Sequence, residues 1–149
     1  MIKWFKKTLI KILNFKKTKH YPLESNQDIA RFLTSKNHFN STMIKPAAFF
    51  PHKNETSVFQ HGSVPIDALW KIGKDNILEK GRSLHGAAIC KVKDIKDISL
   101  EVISAVPPEL HAIIVGWPEC DDSDRESAEH LRIAMLIAQK ASLFKYKSQ

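Results

Sequence analysis

Val106–Glu119 reads VPPELHAIIVGWPE. Within it the run Ala112–Val115 is short, rich in β-branched residues and bounded by breakers, Pro107 and Pro108 before it and Gly116 and Pro118 after it. Proline removes a backbone donor and glycine relaxes the chain, so the run predicts a short buried central strand rather than a helix. His111 then lies where a loop enters that strand, and Trp117 where the strand ends.

Working outward, Ser123-x-x-Glu126 has the form of a capping box, followed by Ala128, Leu131, Met135 and Ala138 at helical spacing. This predicts a helix from about Asp124 to about Leu143 that packs on the sheet. Upstream, Ile98–Ser104 alternates apolar and polar residues, as a half-buried strand does. Leu84–Val92 reads as a strand whose small residues Gly86, Ala87 and Ala88 suit close approach by another element. Ser63 and Pro65 open a helix with the apolar stripe Ile66, Leu69, Trp70 and Ile77, which Gly81 stops. Ser57–His61 is a short strand, and Met43–Phe50, which contains Pro46, an edge strand or extended lead-in. Ile29, Phe32 and Leu33 share one helical face, predicting a helix from Ser25 to about Ser35. With a helix at the N-terminus the order is α-α-β-β-α-β-β-β-α. That order predicts an α+β fold of one domain, residues 21–149, with a small, mostly antiparallel sheet and helices covering one side of it.

Charge is segregated along the chain. Seven of the 23 basic residues lie in residues 1–20, which carry no acid; the 16 that remain equal the 16 acidic residues. The body is therefore neutral, and the net charge of +7 is no argument for a nucleic-acid surface on it. Met1–Lys17 reads MIKWFKKTLIKILNFKK. Wound as a helix, it places Trp4, Phe5, Leu9, Ile12 and Leu13 on one half and Lys3, Lys6, Lys7 and Lys11 on the other, with Ile10 and Lys16 breaking the pattern. Such a segment suits an anionic membrane surface, a groove on a partner protein, the domain's own core, or nucleic acid. Lys7 and Lys11 interrupt any signal-peptide core. The two cysteines, Cys90 and Cys120, form no CxxC, which favours a reducing cytoplasm.

The seven histidines include no HxH, HExxH or HxxxH pair, so no metal is expected. His61, His85 and His111 stand at ends of expected strands. Brought together, they would supply a general acid and base, with Arg82 holding a phosphate; apart, they are partly buried polar residues. Glu119, Asp121 and Asp122 precede a helix and suit its N-terminal dipole. Walker, Rossmann and nucleophile-elbow motifs are absent, and no cofactor is expected. Trp70 and Trp117 read as core or interface aromatics.

Lys45-Pro46-x-x-Phe49, Ser57-Val58-Phe59, Gly81-Arg82-x-Leu84-x-Gly86 and His111-Ala112-x-Ile114-x-Gly116-Trp117-Pro118 together resemble a family of small, uncharacterised bacterial proteins. The resemblance spans roughly Ile44 to Leu143, its last motif being the most specific, and leaves Met1–Lys19 outside. It implies a bacterial, cytoplasmic setting and a compact fold, and no reaction. The combined expectation is a non-enzymatic accessory or adaptor subunit, cytoplasmic or peripheral on the inner membrane, docked through its N-terminal segment. The alternatives are a small RNA- or nucleotide-processing hydrolase using His61, His85 or His111 with Arg82, and nucleic-acid binding through residues 1–20.

Overall fold

A computed structural model of the chain describes residues 20–62 and 64–147. The amphipathic segment Met1–Lys17 and the helix-opening Ser63 lie outside them. The described residues form an α+β domain built on a six-stranded antiparallel sheet. The strands are β1 (Asp28–Leu33), β2 (Thr56–Gln60), β3 (Gly86–Lys91), β4 (Glu101–Ser104), β5 (His111–Val115) and β6 (Ser142–Lys145). They lie side by side in the order β4-β5-β2-β1-β3-β6. Three α-helices cover the sheet: α1 (Ile66–Asn76), α2 (Val92–Lys96) and α3 (Ser123–Lys140).

β5 is an interior strand, between β4 and β2, as its flanking breakers suggest. β1 is a correction. Its sequence DIARFL predicts a helix, yet it is a strand paired along its length with β3. Ile29 and Leu33 enter one core while Ala30 and Phe32 enter the other. A strand buried on both faces loses the alternation that would announce it, and the spacing of its large residues then imitates a helix.

Helices lie on both faces of the sheet, not one. On the first face Val58, Ala88, Val102 and Ile114 pack beneath α2 and α3, through Ile95, Ile133 and Ile137. On the second, Phe32, Phe59 and Ala87 meet α1 through Leu69. The observed order, β-β-α-β-α-β-β-α-β among the described residues, thus departs from the expected one.

The remaining differences are local. Met43–Phe50 forms no edge strand: Ile44 makes one bridge to Phe39, and Pro46–Ala48 is a 3-10 turn opened by its proline. α2 begins at Val92, where the strand Leu84–Val92 is expected to end, and a turn over residues 97–99 leaves only Glu101–Ser104 of the expected strand Ile98–Ser104 as β4. α3 is capped by Asp122, whose carboxylate accepts from the backbone N–H of Asp124 and Arg125, rather than by Ser123. Glu126 instead accepts from the Cys120 N–H. α3 stops at Lys140, and Ser142–Lys145 turns back as β6. The small residues of β3 have the role expected of them. A Cβ on Gly86 would sit 2.4 Å from the Phe144 carbonyl oxygen, so only glycine lets β6 close on β3 there.

Candidate functional site

Antiparallel register decides which strand ends meet. β1 ends where β3 begins, Leu33 lying opposite Gly86. β2 ends, and β5 begins, at the other end of the sheet, with Phe59 opposite His111. His85 and Arg82, just before β3, therefore sit at one end. His61, just after β2, and His111, at the start of β5, sit at the other. The four residues do not converge.

At the His111 end, the imidazole is held on both nitrogens. Nδ1 lies 2.9 Å from the Ala105 carbonyl oxygen, and Nε2 lies 2.6 Å from Ser57 Oγ. A carbonyl only accepts, so Nδ1 carries the hydrogen and Nε2 accepts from the Ser57 hydroxyl. The ring also packs at 5.2 Å on Phe59. His61 donates its backbone N–H to the Asp28 carbonyl; its buried Nδ1 has no hydrogen-bond partner among the described residues. A cleft of about 490 Å³ opens at this end, lined by Tyr21, Glu24, Gln27 and Gln60 among others, but neither His61 nor His111 lines it.

At the opposite end, His85 is anchored by its backbone, its N–H donating to the Leu33 carbonyl and its carbonyl accepting from Tyr146, while its ring lies 5.8 Å from that of Phe39. Arg82 is exposed and donates to Thr34 Oγ1 at 3.2 Å. Two residues that sequence reasoning passed over complete this group. Arg31, partly buried, donates through Nε to the Ala48 carbonyl at 2.8 Å and through Nη1 to the Ser57 carbonyl at 2.9 Å. Burial, with Arg82 adding to it, lowers Arg31 to about 10, which leaves it charged at neutral pH. His38 accepts from the Thr34 N–H through Nδ1 at 3.3 Å. Burial holds its imidazolium below the ordinary histidine range, and Arg31, Arg82 and His85 push in the same direction. The signal for Arg31 is present in the sequence as the only charge inside the run IARFL; that for His38 is not.

His20 Nδ1 lies 3.1 Å from the Ser104 carbonyl oxygen, and a further histidine, His130, stands on α3. It is buried, donates from Nε2 to the Pro118 carbonyl at 2.7 Å and meets Trp117 edge-on. Trp117 is itself core, with Nε1 donating to the Ile114 carbonyl. Trp70 packs edge-on against Tyr146. Burial, helped by Asp94 and Asp28, pushes the Cys90 thiol up to about 12, so it is no nucleophile at neutral pH. Among the described residues no three His, Cys, Asp or Glu side chains are grouped to hold a metal ion, and no helix is long and apolar enough to cross a membrane. Comparison with protein-family models, with curated proteins and with solved structures finds no match in any of the three.

Proposed function

We propose that the protein is a non-enzymatic accessory or adaptor subunit, docking through Met1–Lys19 to a partner protein or to the inner membrane surface. The observation that carries this reading is the separation of its histidines: His61 and His111 stand at one end of the sheet, His85 and Arg82 at the other. The balanced charge of the body and the lysine-rich polar half of the leading segment support it. The described chain enters the domain along the edge of β4, where Ser104 donates to the Tyr21 carbonyl and Leu23 donates to the Val102 carbonyl.

Deleting Met1–Lys19 should abolish flotation with anionic vesicles or capture of a specific partner, and leave the melting temperature of the body within a few degrees of the full chain. Lysines near an anionic surface are worth about 1 kcal/mol each, so the loss on vesicles would be large. A truncated protein that floats and captures as the full chain does would remove this proposal.

One contact favours the hydrolase reading as a second: Ser57 Oγ on His111 Nε2 at 2.6 Å, with Nδ1 fixed by a carbonyl, has the geometry of a nucleophile and its base. On the adaptor reading the same contact is structural. His111→Ala then leaves the Ser57 hydroxyl and the Ala105 carbonyl without their partner, at about 1–3 kcal/mol, and the melting temperature falls by several degrees. Loss of a phosphodiesterase or esterase activity in His111→Ala and Ser57→Ala at unchanged melting temperature would decide for the enzyme.

A further inference from the structure

Where β1 ends and β3 begins, Arg82 and His38 meet at Thr34, and Arg31 and His85 are charged neighbours of His38. Arg82 reaches Thr34 Oγ1 at 3.2 Å, and the Thr34 N–H donates to His38 Nδ1 at 3.3 Å. The Arg31 side chain is pinned by the Ala48 and Ser57 carbonyls; His85 is held by its backbone N–H on the Leu33 carbonyl, with its ring against Phe39. Neither arginine forms a salt bridge with another described residue. The charged neighbours acting on His38 are Arg31, Arg82 and His85, all basic. Gathering like charges costs free energy, and an anion of matching charge turns that cost into attraction. Because His38 Nδ1 accepts from a backbone N–H, its hydrogen is on Nε2, and the neutral ring still offers a donor.

We propose that this end of the sheet binds a phosphate group through Arg31, His38, Arg82 and His85. The two guanidinium charges match a phosphate dianion better than a carboxylate. The three free oxygens of a phosphate monoester take up guanidinium and imidazole donors that a carboxylate would leave unused. The source is either free phosphate or the phosphomonoester of a larger molecule. The site stands independently of the adaptor reading, since it is argued from Arg31, Thr34, His38, Arg82 and His85.

The test is an amide chemical-shift titration of the full chain with inorganic phosphate, and separately with AMP, at constant ionic strength. Saturable shifts centred on Thr34, His38, Arg82 and His85 are expected. Arg82→Ala, at an exposed position, should weaken both probes about tenfold or more without moving the melting temperature, and Arg82→Lys should weaken them less. Equal affinity for the two probes assigns free phosphate as the ligand; tighter binding of AMP assigns an organic phosphate. Shifts that do not saturate, that are confined to the lysines of residues 1–20, or that survive Arg82→Ala unchanged would overturn the site.

Discussion

Phe49→Ala is expected to lower the melting temperature by roughly 10 °C or more, the largest effect of any single truncation considered for this domain. Phe49 has no solvent exposure and packs into the core on the α3 side of the sheet. It follows directly on the 3-10 turn Pro46–Ala48, and its carbonyl accepts from the buried Thr56 hydroxyl at 2.9 Å. Removing the ring forfeits its transfer free energy and leaves a cavity beneath a turn tied down on both sides, so collapse recovers little of the loss. Together these cost about 3–5 kcal/mol. Phe50 is the internal control: it is 38% exposed, and Phe50→Ala should cost far less. Equal losses at the two positions, measured by thermal and denaturant unfolding, would mean that the chain does not turn at Pro46 as described. Arg31 donates to the carbonyl of Ala48, one residue away, so Phe49→Ala should also weaken phosphate binding at the β1–β3 end.

The second large effect is expected at Leu69, which tests whether the sheet is covered on both sides. Leu69 is fully buried on α1, in the core that contains Phe32, Phe59 and Ala87. α1 comes close to the sheet here: a Cβ on Gly73 would lie 2.9 Å from the Phe32 ring. Leu69→Ala should therefore cost about 2–5 kcal/mol, whereas Ile66→Ala, at a position 37% exposed on the same helix, should cost much less. A loss at Leu69 below about 1 kcal/mol would detach α1 from the sheet and return the domain to one-sided layering.

These two positions also show how far the chain could be read without its structure. α1 and α3 follow from apolar residues at helical spacing between recognisable start and stop residues, because a helix with one wet face keeps its period. β2, β3 and β5 follow from short apolar runs between breakers. β1 is invisible for the opposite reason, burial on both faces having removed the contrast that periodicity needs. β6 is hidden because Ser142–Lys145 continues the helical pattern of α3, and only the room left beside Gly86 draws it onto the sheet.

By itself the sequence determined the class of fold, the small residues that let β6 approach and the concentration of positive charge ahead of a neutral body, because these depend on residue type and local spacing alone. The tertiary structure alone decided which strand ends coincide. Ser57 meets His111 across 54 positions and Thr34 meets Arg82 across 48, pairings set by strand order and direction, which no local pattern encodes. That is why the sequence left open whether the three strand-end histidines meet, and why the basic residues beside Thr34 became visible only once β1 lay beside β3.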